Sequence, residues 1–171
     1  MFCGSIDGTH CLIEEPRKFP DSKWYSHKFH GPGLTYQIVL SLHESKVLSI
    51  IGPYPAGNSD LTVYRMRDGI KHMIPHGSRL IGDRGYVGEP ETISTPNDHD
   101  TLRAAQFKGR ARSRHETFNG RLKDFNILDQ AYRHTGRQAI VLDDYEDHKQ
   151  IFESVCILVQ YDLQYLPLFA A

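Results

Sequence analysis

Three acids stand out because of what flanks them. Asp7 closes an apolar run and precedes a glycine, in Ile6-Asp7-Gly8-Thr9. Asp83 does the same in Leu80-Ile81-Gly82-Asp83-Arg84-Gly85. Glu116 is the single glutamate of RARSRHETFNGRLKDF, residues 110–125. Taken singly, each has a plain reading. An Asp beside glycine at a strand end accepts local backbone hydrogen bonds, and a Glu among arginines on a helix is a solvated ion-pair partner. Taken together they suit a different chemistry. Hydrolysis or transfer of a phosphodiester uses divalent ions to activate the nucleophile and steady the leaving oxygen, with paired ions roughly 4 Å apart. Hard cations such as Mg²⁺ take carboxylate and water oxygens. Carboxylates alone would repel a polyanion, so such a site gains from nearby Lys and Arg. Between Arg103 and Lys123 the chain has seven Lys or Arg and one acid.

The elements that would have to position these acids can be read from periodicity. Residues 2–15 alternate loosely and predict a strand interrupted after Asp7. Residues 16–33 hold three Pro and two Gly and predict a long loop. TYQIVLSL (35–42) and VLSII (47–51) predict a hairpin. A loop over 52–60 ends in a helix cap at Asn58 or Ser59, after which Val63, Met66, Ile70 and Met73 recur at helical spacing. SRLIGDRGYVG (78–88) predicts a short strand leading to Asp83, and ETISTP (91–96) another, stopped by Pro96. Residues 97–110 read as a polar loop. From about Arg112 the helical period returns, with Ala111, His115, Phe118, Leu122 and Phe125 in one stripe. Arg112 at i−4 and Lys123 at i+7 share a face with Glu116. A last helix runs from Asp144 as N-cap towards Tyr165. Strands first and helices later predict a mixed α/β chain.

Bulk properties narrow the class. With 171 residues the chain has a one-domain length, read as a single domain over 1–171. Lys plus Arg (20) nearly balance Asp plus Glu (21), so the positive charge is local. Three cysteines, Cys3, Cys11 and Cys156, are an odd number and argue for a reducing compartment. No apolar run approaches a membrane span and the N-terminus has no signal-peptide pattern, which predicts an intracellular protein with no membrane partner. Of ten histidines, His27 with His30, His72 with His76, and His10 beside Cys11 are the zinc candidates, but none has a paired CxxC or HExxH form. His115 reads as a core residue, and Cys156 as a buried small hydrophobe.

Asp7 in SIDGTH, Asp83 in IGDRGY and Glu116 in RHETFNGRLK resemble the three acids of the DDE-superfamily endonuclease domain, most closely in Harbinger-like transposases and their bacterial relatives. YSHKFHGPGLTYQIVLSLHESKVLSIIGPYPAGNSD and Thr95-Pro96 resemble further family segments, and the likeness runs from about Gly4 to Phe169. Arg112, Glu116 and Lys123 resemble an Arg-x3-Glu-x6-Lys pattern of related bacterial transposases, with Gly109 where that pattern has Tyr.

That resemblance implies an RNase H-like fold, a mixed sheet flanked by helices. It also implies a transposase-type endonuclease using two Mg²⁺ or Mn²⁺ ions. Asp7 would bridge the ions, Asp83 and Glu116 would complete their ligation, and Asp60 would be an auxiliary acid or a simple helix cap. DNA would be the partner, held by Lys108, Arg110, Arg112, Arg114, Arg121 and Lys123. Members usually carry an N-terminal DNA-binding region, whereas this sequence opens six residues before Asp7. A separate DNA-binding protein or domain would then supply specificity, and a homo-oligomer and a nuclear (in a eukaryote) or cytoplasmic location are expected. Two other readings stay open: a domesticated, non-catalytic DNA- or protein-binding module, and a metal-dependent phosphohydrolase of small substrates, against which the basic strip argues.

Overall fold

The computed structural model describes residues 1–15, 22–133 and 145–169. A six-stranded mixed sheet is built from β1 (Phe2–Leu12), β2 (Tyr25–Ser26), β3 (Gly31–Ser41), β4 (Val47–Pro55), β5 (Arg79–Ile81) and β6 (Ile93–Ser94). β1 lies inside it, antiparallel to β3 on one side and parallel to β5 on the other. β4 and the short β2 pair with β3, and β6 extends the parallel side beyond β5. The helices are α1 (Asp60–Arg65), α2 (Leu102–Lys123), α3 (Asn126–Asp129) and α4 (Glu146–Asp162).

Alternation along the strands separates two cores. Leu34, Tyr36, Ile38 and Leu40 of β3 point to one face, where they meet Phe118 and Leu122 of α2 and Phe152, Val155 and Val159 of α4. Tyr36 and Phe152 lie stacked with centroids 3.8 Å apart. Ile6 and Val39 point the other way, towards Val63 and Tyr64 of α1 and Ile70, Leu80 and Tyr86. The sheet is thus covered on both sides, with the long α2 beside β1. Among the described residues no helix is long and apolar enough to cross a membrane. Cys3, Cys11 and Cys156 are free thiols, and Cys156 is buried as expected.

Several boundaries differ from the sequence reading. β1 runs unbroken through Gly8-Thr9, because pairing with β3 continues from Gly4 opposite Ser41 to Leu12 opposite Gly33. Tertiary pairing overrides the local turn signal there. The predicted loop of 16–33 ends early, since β2 and the start of β3 lie within it. α1 stops after six residues, and Ile70–Met73 form a separate 3₁₀ turn. Gly69 explains the break: a Cβ there would stand 2.4 Å from the Tyr64 carbonyl oxygen, so only glycine lets the chain fold back on the helix end.

The largest correction concerns residues 97–110. The stretch read as loop becomes helix at Leu102, ten residues before Arg112, with the Thr101 hydroxyl accepting from the Ala104 amide at 3.3 Å. Its polarity hid it, because only Ala111 and the partly buried Phe107 mark its apolar side. The predicted N-cap of the last helix, Asp144, lies outside the described residues. Phe118 is fully buried where α2 meets the sheet. Phe118→Ala is expected to lower the urea-unfolding free energy by about 3–5 kcal/mol; a loss below 1 kcal/mol would contradict the placement of α2 as a core helix.

Candidate active site

β1 and β5 run side by side in parallel with Ser5 opposite Ile81, so the end of β5 opens an edge beside the middle of β1, next to Asp7. Asp7 sits on β1 and Asp83 two residues beyond the end of β5. α2 passes over that edge. Asp7, Asp83 and Glu116 line one cavity of about 120 Å³, together with Ser5, Ile6, Ile81, Arg112 and His115. Arg112, His115 and Glu116 reach it together because i, i+3 and i+4 share one face of a helix. Ser5 and Asp7 reach it together because alternate residues of a strand share a face.

Both aspartates also have the turn role that their glycines suggested. Asp7 Oδ1 accepts from the Gly8 amide at 2.8 Å, and Asp83 Oδ1 from the Gly85 amide at 2.8 Å. Asp7 Oδ2 accepts a further bond from Asn119 Nδ2 at 3.1 Å. Glu116 is exposed and enters no ion pair among the described residues, so the pairing with Arg112 or Lys123 read from the sequence is not formed.

Asp60, the first residue of α1, joins this group from the other side of β1. A Cβ on Gly8 would fall on the Asp60 carboxylate, and one on Gly85 would lie 3.2 Å from Asp60 Oδ2. Glycine at those positions leaves the space that this third aspartate fills. Ser59 is the N-cap, accepting from the Thr62 amide at 3.1 Å, so Asp60 is not the cap itself. Lys28 donates from Nζ to the Gly8 carbonyl at 3.1 Å and is the cation that most favours the charged forms of Asp7 and Asp60. It fell within a loop in the sequence reading and was missed.

These placements set the electrostatics. Burial pushes the Asp7 carboxyl up to about 6, opposed by Lys28 and the Gly8 amide and reinforced by Asp83 and Asp60. Asp60 is raised too, chiefly by burial, with Asp83 adding to it. Burial holds the His115 imidazole down to about 4. His115 and Ser5 are each 2 % exposed; apart from the Ser5 backbone, which favours the protonated ring, the His115 nitrogens have no partner, and Ser5 Oγ has none.

The basic strip separates into two groups. Lys108 is 7 % exposed, and its ammonium donates to the Asp100 carboxylate at 2.7 and 2.8 Å and to the Thr95 carbonyl at 2.8 Å. Arg114 is buried and donates to the Leu42 and Glu44 carbonyls at 3.0 and 2.9 Å. Arg121 pairs with Asp162 at 3.1 Å and donates to the Leu166 carbonyl at 2.6 Å. Lys123 donates to the His10 carbonyl at 2.6 Å and the Leu128 carbonyl at 3.1 Å. These four side chains fasten α2 to the rest of the fold, which departs from the expectation that all six cations face DNA. Arg110 and Arg112, with Arg103, are exposed and have no ion pair among the described residues.

Asp7, Asp83 and Glu116 bring hard carboxylate oxygens to one cavity, and the desolvated Asp7 has two acid neighbours whose mutual repulsion a divalent cation would relieve. In donor chemistry these residues fit such an ion. They are not gathered as a finished cage: among the described residues no three His, Cys, Asp or Glu side chains stand close enough together to hold one.

A mixed α/β sheet that delivers one acid from within a strand, one from beyond a strand end and a helix glutamate to one cavity is consistent with a nuclease fold. The chain belongs to the DDE superfamily endonucleases, whose family model matches residues 6–160 and so takes in Asp7, Asp60, Asp83 and Glu116. No curated protein and no solved structure matches this chain.

Asn119 and Ser5 escaped the sequence reading although periodicity could have found them. Asn119 is three residues after Glu116 on the helix, and Ser5 two before Asp7 on the strand. The raised Asp7 yields a pH dependence. Its folded value lies above the unfolded one, so its neutral form is favoured in the fold and its ionisation opposes folding as pH rises from 4 through 6. In metal-free protein, Asp7→Asn removes that opposition. The variant is expected to be more stable than wild type near pH 8, by up to about 3 kcal/mol, and close to it near pH 4. Urea unfolding at both pH values checks this, and equal stabilities near pH 8 would contradict a desolvated Asp7.

Proposed function

We propose that this chain is the catalytic domain of a divalent-metal-dependent DNA endonuclease of the transposase type, RNase H-like in fold and Harbinger-like in lineage. The observation that carries this reading is the single cavity lined by Asp7, Asp83 and Glu116. The interior position of β1 in a mixed sheet with helices on both faces supports the fold assignment.

Two Mg²⁺ or Mn²⁺ ions bound here would activate the attacking hydroxyl and neutralise charge on the phosphate. The rest of the chemistry falls to the chain's own groups. Asp7, Asp83 and Glu116 would hold the ions, and Asp60 would support them from behind Gly8. Asn119 orients the Asp7 carboxylate through the bond to Oδ2. Asp7 must be ionised to serve as a ligand, so metal uptake by the metal-free chain is expected to weaken as pH falls below about 6. Arg112, at the cavity wall, receives a DNA phosphate, and Arg103 and Arg110 meet the strand farther along α2. Lys28 offsets the acids at the back of the site.

Nicking of supercoiled plasmid tests the reaction. Wild type is expected to nick with Mg²⁺ or Mn²⁺, and Asp83→Ala or Glu116→Ala to reduce the rate by at least about 100-fold. Nicking unchanged by Asp83→Ala would exclude the catalytic reading, and DNA binding without any nicking would favour a non-catalytic module. The division of the basic strip has its own test. Arg110→Ala is expected to reduce the salt dependence of DNA binding by about one counterion. Lys108→Ala is expected to lower stability by about 1–3 kcal/mol, through loss of the Asp100 pair, and to leave the salt slope unchanged. A flattened slope for Lys108→Ala alone would reverse this assignment.

A further inference from the structure

His115 and Ser5 are anomalous as core residues. Besides Ala111, Phe118 and Leu122, the buried side of α2 holds Lys108, Arg114 and His115; the two cations donate to carbonyls and Asp100, whereas His115 faces the cavity. Its ring is almost wholly enclosed with the Ser5 backbone as its one polar partner, which leaves a ring nitrogen unpaired, and the Ser5 hydroxyl has no partner at all. Buried polar groups in native proteins are nearly always paired, so spare hydrogen-bonding capacity on two residues bordering one space needs a reason. They border the cavity that Asp7, Asp83 and Glu116 also line. Its polar wall and its size, about 120 Å³, suit ordered water with several partners. A neutral imidazole offers one donor and one acceptor, and a hydroxyl offers both.

Resting on the metal reading above, we infer that Ser5 and His115 are positioning residues of the metal site, whose free hydroxyl and imidazole hold the water that a hard divalent cation keeps on binding the neighbouring carboxylates. Mg²⁺-like ions dehydrate reluctantly and retain several waters. Groups that hydrogen-bond to a metal's immediate surroundings commonly govern its affinity by 10–100-fold. A mere packing role would be served as well by an apolar side chain, and a polar one at this place fits a hydrated occupant.

Calorimetric titration of Mn²⁺ into the metal-free chain separates these roles, because it reads affinity without requiring turnover. His115→Phe is expected to weaken Mn²⁺ binding about 10–100-fold. His115→Gln, which restores a donor and an acceptor, is expected to recover most of that loss, and Ser5→Ala to weaken binding about tenfold. The thermal midpoint of metal-free His115→Phe should equal or exceed that of wild type, since an unpaired polar group is removed. Wild-type affinity in both His115→Phe and Ser5→Ala would overturn the inference. Should Phe disturb packing, the smaller Ser5→Ala decides. Failure of the metal reading looks different: wild type itself would then show no Mn²⁺ uptake that Asp83→Ala abolishes, and this inference would fall with it.

Discussion

The structure turns on an acid that its surroundings disfavour. Asp7 lies on β1, flanked by strands on both sides, covered by α2, and close to Asp83 and Asp60. Desolvation and like charge both oppose its ionisation. Three features make the position tolerable in the isolated chain: the Gly8 amide on Oδ1, the Asn119 amide on Oδ2, and the Lys28 ammonium bound to the Gly8 carbonyl. None of them removes the repulsion among the acids. A divalent cation bound among these carboxylates, as proposed, would relieve that repulsion.

The helix that completes the cavity is held by its own charges. Lys108, Arg114, Arg121 and Lys123 tie α2 to the Asp100 loop, the β3–β4 turn, the end of α4, and the junction of β1 with α3. Such fixtures matter because α2 carries both Glu116 and Asn119. A helix anchored along its length presents these side chains to β1 at a fixed height. The cations that anchor it cannot at the same time meet a phosphate. The positive strip is therefore partly scaffold and partly open surface, and Arg103, Arg110 and Arg112 are its open part.

Much of this was legible in the sequence. Glycine beside Asp7 and beside Asp83 marks both acids, and the Ala111–Phe118–Leu122 spacing marks the buried side of α2. What could not be read depended on long-range contacts. Ten early residues of α2 were hidden because their polar side chains show no helical stripe, and only the Thr101 cap marks their start. The direction of each arginine was also hidden: Arg112 and Arg114 differ by two positions and face solvent and the β3–β4 turn respectively. Asp60 read as a cap, because the empty space over Gly8 that admits it exists only after β1 and α1 have packed. His115 reads as a core residue from its spacing alone, and only the cavity that it and Ser5 line gives its polarity a reason.

The central claim is that Asp7, Asp83 and Glu116 form one metal-binding unit. Crystals grown with Mn²⁺, with anomalous diffraction recorded at the manganese absorption edge, test it most directly. The predicted result is anomalous density between these three carboxylates, with the side chains drawn together around it. Well-ordered crystals with no manganese in this cavity, or with manganese only elsewhere on the surface, would contradict it.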